Sequence, residues 1–169
     1  MINENRKPVL NAQQTNQRIK RIAFEMYERN FTESEIVLAG IVGEGYQLAI
    51  LLRAELEQIS PLKVLLLQVQ LNKEEPHANP VDFGIEKMQM MGKVIVVVDD
   101  VLNTGRTLAY SLSPLLGVTL KKVQVAVMIN RAHHSFPISA DYVGYTVSTT
   151  LNEHVQVILT GSAAGVYLS

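Results

Sequence analysis

The chain contains no cysteine. Disulfides, zinc–thiolate sites and cysteine nucleophiles are excluded at the outset, and a cytoplasmic setting is the expectation. Net charge is nearly absent too, at −1 over 169 residues. A strongly basic nucleic-acid coat is therefore not expected, although a local patch is compatible with that total. No apolar run approaches the roughly 18 residues of a membrane helix. The opening MINENRKP is polar and lacks the apolar centre of a signal peptide, so no membrane partner is expected. The four histidines show no HExxH or similar spacing, which leaves a transition-metal site without support. A Walker A sequence is missing. The turn Gly40-Ile41-Val42-Gly43-Glu44-Gly45 is not GxGxxG, so a dinucleotide fold has little behind it. Repeats and low-complexity tracts are absent.

What is present suits one globular domain over residues 1–169: 47% hydrophobic and 18% charged residues. Ile19, Ile22, Ala23, Met26 and Tyr27 recur at helical spacing within residues 11–30. Ile36–Ile41 reads as a buried strand, Tyr46–Gln58 as a helix closed by Ser60-Pro61, and Lys63–Val69 as a second strand. Residues 70–86 hold Pro76, Pro80 and Gly84 with little periodicity, and a loop of that length in a compact domain is usually functional or disordered. Val94–Val98 is a third strand. Thr107–Leu116 is a helix that Pro114 should kink or shorten. Val123–Ile129 is a fourth strand, with later ones at Tyr142–Thr146 and Val155–Leu159. Near-continuous apolar strands alternating with helices predict an α/β fold, a mainly parallel sheet flanked by helices on both faces. Ligands of such sheets bind at the carboxyl ends of the strands.

One stretch carries the chemistry: Val94 to Leu108, VIVVVDDVLNTGRTL. Five β-branched residues lead into Asp99 and Asp100, at the expected strand end. Asn103-Thr104-Gly105-Arg106-Thr107 then runs into a helix start, whose free amides favour an anion. Thr104 and Thr107 add hydroxyl donors, Gly105 allows close approach, and Arg106 adds positive charge. Two carboxylates cannot hold the same anion. They suit donating sugar hydroxyls or a hydrated Mg2+. An anion cradle beside a diol site describes a ribose 5-phosphate. A lone aspartate here would most simply cap the following helix; the joined pattern argues for more. An acidic phosphorylation site of receiver type would need the acids near the chain start, and these lie past the midpoint.

This stretch resembles the PRPP (phosphoribosyl diphosphate) signature of type I phosphoribosyltransferases. QRIKRIAFEMYERN before the first strand, INRAHHSFPISADYVGYTV after the fourth and the tail to Tyr167 extend the likeness over roughly residues 9–168. They are similar to the bacterial pyrimidine-operon attenuator/uracil phosphoribosyltransferase subfamily. The resemblance implies a type I phosphoribosyltransferase fold with a flexible hood loop. It implies displacement of diphosphate from PRPP by a nucleobase, with Mg2+ as cofactor. Asp99 and Asp100 would be the catalytic acids, on the ribose hydroxyls and on Mg2+, directly or through water. Residues 103–107 would bind the 5-phosphate, Val42, Gly43, Glu44 and Gly45 the diphosphate, and Asn130 and Arg131 the base. Gln70–Gly84 would be the hood. Partners implied are PRPP, a nucleobase or nucleoside monophosphate, and a second copy of the chain in a homodimer or higher homo-oligomer.

Two departures stand out. The diphosphate turn of this subfamily usually has threonine and arginine before its glycine, where this chain has Gly43 and Glu44. The hood usually brings tyrosine, arginine and aspartate, whereas QVQLNKEEPHANP has Lys73 as its only formal cation. A carboxylate beside a diphosphate is repulsive by roughly 1 kcal/mol or more, so weak turnover with uracil is expected. Other readings are a nucleotide-sensing, RNA-binding regulator of pyrimidine genes, which the net charge does not favour, and a relative that binds PRPP without turnover. Met88, Met90 and Met91 read as gap-filling core. Arg18, Lys20, Arg21 and Arg29 read as a solvated helix face.

Overall fold

The structure, a computed structural model, describes residues 6–131, 133–150 and 152–169. Residues 1–5, most of the polar opening, lie outside that description. The chain runs β1 (Lys7–Leu10), α1 (Ala12–Asn30), β2 (Glu35–Ile41), α2 (Glu44–Ile59), β3 (Lys63–Val69), α3 (Lys87–Met90), β4 (Val94–Leu102) and α4 (Arg106–Leu112). A 3-10 segment (Ser113–Gly117), β5 (Lys122–Arg131), β6 (Tyr142–Val147), β7 (Val155–Ile158) and β8 (Gly165–Leu168) complete it. Among the described residues no helix is long and apolar enough to cross a membrane.

Five strands pair in parallel in the order β3-β2-β4-β5-β6. Alternation along each strand divides the core between the two faces of this sheet. Ile36, Leu38, Val94, Val96 and Val98 pack on one side with Ile22, Met26, Leu48 and Leu52 of α1 and α2. Val37, Ala39, Ile95 and Val97 pack on the other with Leu108 and Leu115. Val94 to Val98 are fully buried, and a valine or isoleucine so placed contributes about 1.5–3 kcal/mol. The two-sided, mainly parallel sheet expected from the sequence is thus the one observed.

Local chemistry sets the element ends. Asn11 caps α1, accepting from Gln14 N while the Gln14 side chain accepts from Asn11 N. Pro114 supplies no amide, so α4 stops at Leu112 and the chain tightens into the 3-10 segment. The arginines of α1 are not simply solvated. Arg21 Nη2 donates to the carbonyls of Val143 (3.0 Å) and Gly144 (2.6 Å), and Arg29 Nη1 to that of Asp141 (3.2 Å). Arg18 and Arg29 lie over the rings of Tyr145 and Tyr142 at 5.2 and 5.0 Å.

Three expectations need correction. Val155–Leu159 does not extend the parallel sheet: β7 belongs to a separate antiparallel sheet of order β1-β8-β7. Its other members, β1 and β8, have four residues each, and β1 contains Pro8; neither offers the alternation that marks a strand. Second, of the three methionines only Met90 is buried, and Met88 and Met91 are exposed. They sit on or beside a four-residue helix, a single turn that can turn one of them to the core. Third, β4 runs on past Val98 to Leu102.

Candidate active site

The length of β4 creates the site. Its pairing with β2 ends at Val98↔Gly40, whereas its pairing with β5 continues to Leu102↔Asn130. The chain leaves β2 at Gly43, whose φ of 95° suits glycine. Asp99 and Asp100 thus lie where one neighbouring strand has departed and the other still holds the backbone straight. Helix α2 starts directly against them: a Cβ on Gly45 would lie 2.9 Å from Asp99 Oδ1 and 2.9 Å from Val98 O. No larger residue fits between the helix and the acids without displacing one of them.

The two acids differ. Asp99 has a 4% exposed side chain and Asp100 a 22% exposed one. Asp99 Oδ1 accepts from Asp100 N at 2.9 Å. Lys73 Nζ, from the 70–86 loop, is 3.5 Å from Asp99 Oδ1 and 4.0 Å from Asp100 Oδ1. Burial, and then the charge of Asp100, push the Asp99 carboxyl up to about 8, against the opposing pull of Lys73. An acid pair so poorly compensated, one member of it buried, favours a further cation, whose charge would displace the proton that burial favours on Asp99. The donors are hard oxygens, and among the described residues no group of three or more histidines, cysteines or acids forms a complete cage. Two carboxylates, with the remaining positions left to ligand oxygens and water, is the way Mg2+ is usually held. The residues fit that ion.

The 103–107 loop is rigidly backed. Thr104 O accepts from Ser135 N (2.8 Å) and Phe136 N (2.9 Å). Gly105 has φ 84°, and a Cβ there would meet Ile138 Cβ at 3.2 Å and Phe136 O at 3.3 Å. Thr104 Oγ1 accepts from Arg106 N at 3.3 Å. The ladder of α4 begins with Ala109 N donating to Gly105 O, so the amides before it have no partner within the helix. Residues 101–108 and Asp99 enclose a pocket of about 50 Å³, the scale of a small anion.

Beside it opens a cleft of about 370 Å³, lined by Glu44, Lys73, Asp99, Asp100, Asn103 and Thr107 and, opposite, by His154–Ile158. Residues from four of the expected segments therefore line one cleft: Asp99 and Asp100, Asn103 and Thr107 of the 103–107 loop, Glu44 of the 42–45 turn and Lys73 of the 70–84 loop. Of the turn at 42–45, Glu44 lines the cleft. Its Oε2 accepts from Leu159 N at 3.2 Å, and Val42 N donates to Val69 O at 2.9 Å. Asn130 and Arg131 are not in the lining. Asn130 Oδ1 is 3.0 Å from His134 Nε2. Arg131 donates from Nε to Thr149 Oγ1 (2.9 Å), from Nη1 to Asn103 Oδ1 (3.0 Å) and from Nη2 to Glu153 O (2.9 Å). Sequence reasoning did not foresee the β7 wall. His154, Val155, Gln156, Val157 and Ile158 form no recognisable motif in sequence.

The model of the phosphoribosyl transferase domain family matches residues 5–159. Bifunctional protein PyrR of Haemophilus ducreyi is 31% identical, over 89% of this chain and 88% of its own. Bifunctional protein PyrR of Bacillus pumilus is 34% identical, over 92% of each. Among solved structures, the hypoxanthine phosphoribosyltransferase of Trypanosoma cruzi superposes with a TM-score of 0.76 at 17% identity, covering 88% of this chain and 84% of that one. At that identity the likeness speaks for the fold.

Proposed function

The chain belongs to the phosphoribosyl transferase family, and from that premise we propose that it transfers the 5-phosphoribosyl group of PRPP to a pyrimidine such as uracil, releasing diphosphate. One observation carries this reading. Asp99, Val101, Asn103 and Thr107 line both the small anion pocket and the larger cleft, so a phosphate site and an acid pair share a wall. A ribose 5-phosphate spans that wall with its phosphate in the 103–107 loop and its hydroxyls donating to Asp99 and Asp100. The diphosphate then lies toward the 42–45 turn.

The base nitrogen forms its bond to the ribose C1 as the bond from C1 to diphosphate oxygen breaks, through an oxocarbenium-like transition state. The protein's part is positioning, charge and exclusion of water, with no covalent nucleophile. Asp99 and Asp100 would hold Mg2+, directly or through water, and the bound ion would supply positive charge against the leaving diphosphate. Asn130 and Arg131 act on the base side, Arg131 by holding the 149–153 loop that leads into β7. Cytoplasmic location and a homodimer or larger homo-oligomer are part of this reading.

The test is diphosphate release from PRPP and Mg2+ with a panel of bases. Release with uracil is expected, at a low rate. No release with any base, together with no thermal shift at millimolar PRPP, would sink the proposal. Binding at 100 times the dissociation constant should add about 2.7 kcal/mol.

A second reading, an RNA-binding regulator of pyrimidine genes, draws on the word bifunctional in the relatives' name. The α1 arginines do not strengthen it, since Arg18, Arg21 and Arg29 are turned onto β6 and its flanking residues. Any RNA binding should be weak and electrostatic. A complex surviving at about 0.5 M salt would contradict that, because phosphate contacts weaken steeply as salt rises.

A further inference from the structure

The hood touches the acids through one side chain. Its root is fixed by two backbone bonds, Gln70 N to Asp82 O at 2.8 Å and Asp82 N to Gln70 O at 3.0 Å. Asn72 Oδ1 then accepts from the amides of Glu74 (3.0 Å) and Glu75 (3.2 Å). That turn presents Lys73 to the cleft, where its ammonium reaches both carboxylates. We propose that Lys73 stands in for the divalent cation before the metal binds, holding Asp99 and Asp100 until the metal displaces it, so that metal binding and release of the hood are one event. This inference rests on the reading of the site as one for Mg2+ and PRPP.

Three observations support it. Among the described residues Lys73 is the only lysine or arginine that lines the cleft or pairs with either acid. No other lysine or arginine faces these two adjacent acids, one of them buried. Second, the ammonium is within 4.0 Å of an oxygen of each acid, in the space that a cation shared by both would enter. Two cations cannot occupy it together, because their repulsion within a few ångströms is of the order of the attraction each gains. Third, the partners differ in freedom. The Lys73 side chain is 41% exposed and Asp99 only 4%, so it is the ammonium, on its flexible stem in an outer loop, that swings away. The hood is then the mobile half of an ion pair whose fixed half is the metal site.

The probe is Mn2+, followed by electron paramagnetic resonance of the free ion, on the full chain without PRPP. Lys73→Met should bind Mn2+ more tightly by roughly fivefold, the worth of a partly exposed ion pair. Lys73→Arg, which keeps the charge, should stay near the unmodified protein. Hydrogen exchange gives a second readout: Mn2+ should speed exchange of the amides in residues 71–81 of the unmodified protein, whereas Lys73→Met should exchange fast with or without the ion. Equal or weaker Mn2+ binding by Lys73→Met, or a hood whose exchange ignores Mn2+, overturns the inference. If all forms bind Mn2+ equally well with PRPP present, Lys73 alone loses its role. If none binds Mn2+ even with PRPP, the Mg2+–PRPP reading falls with it.

Discussion

Arg131 Nη1 donates to Asn103 Oδ1 at 3.0 Å, joining the end of β5 to the first residue of the 103–107 loop. The same guanidinium holds Thr149 Oγ1 and the carbonyl of Glu153. The loop that should grip the 5-phosphate and the segment leading into the β7 wall therefore share one support. Hydrogen bonds from a charged donor are worth about 1.5–3 kcal/mol, and a lysine cannot reproduce the fork. Arg131→Lys should weaken binding of a nucleoside 5-monophosphate by about tenfold or more. Titration calorimetry decides it; unchanged affinity would mean that the clamp serves neither wall.

The hydroxyls of the phosphate loop give a second test. Thr104→Val with Thr107→Val keeps shape and removes two donors. Each hydrogen bond is worth about 1 kcal/mol, so the double variant should lose roughly thirtyfold in 5-monophosphate affinity. Thr104 Oγ1 also receives Arg106 N, so a modest fall in melting temperature should accompany it. An unaltered affinity would point to another phosphate site.

Glu44 is an electrostatic liability with a structural task. Its carboxylate lines the cleft, yet Leu159 N donates to it. Glu44→Gln retains an acceptor and removes the charge. It should raise PRPP affinity by roughly fivefold, the equivalent of about 1 kcal/mol of relieved repulsion. Glu44→Arg relieves the charge but forfeits the bond to Leu159, so it should gain affinity and lose stability. Calorimetry with PRPP and Mg2+, beside thermal unfolding, separates the two effects. Reduced affinity in Glu44→Gln would make the carboxylate a positive element of the site.

Asp99 should shape the pH dependence of the metal-free protein. Its carboxyl is raised from the ordinary 3.8 to about 8 by burial and by Asp100. The folded chain therefore keeps a proton that the unfolded chain gives up, and stability must fall as pH rises across that interval. Asp99→Asn should remove that slope and be the more stable form near pH 8. Thermal unfolding with a chelator present checks it: parallel profiles for the two proteins would exclude Asp99 as the source.

The sequence made the parallel sheet legible because its strands are buried on both faces and read as unbroken apolar runs. The nearness of the acid pair to the 103–107 loop was legible for a different reason: both lie in one short stretch, where spacing alone brings them together. Lys73 was visible as the hood's lone cation, but its placement on Asp99 depends on the Gln70–Asp82 closure, which no local pattern announces. β1 and β8 are too short to show a period, and their pairing joins the two ends of the chain. Arg131 was singled out by the resemblance alone, as a base-binding position, and its partners at 103, 149 and 153 meet only through the fold.

The arginines that α1 lays on β6 have a consequence beyond local bonding. β6 ends the parallel sheet, and an open row of peptide groups invites a strand of another molecule to continue it. Arg21 occupies the carbonyls of Val143 and Gly144 with a charged, planar group. No incoming strand can pair there without evicting that group and stripping it of its acceptors. The face that looked like ordinary helix polarity thus covers part of the sheet's last strand, and Arg21→Ala should show itself as light scattering on concentration or refolding.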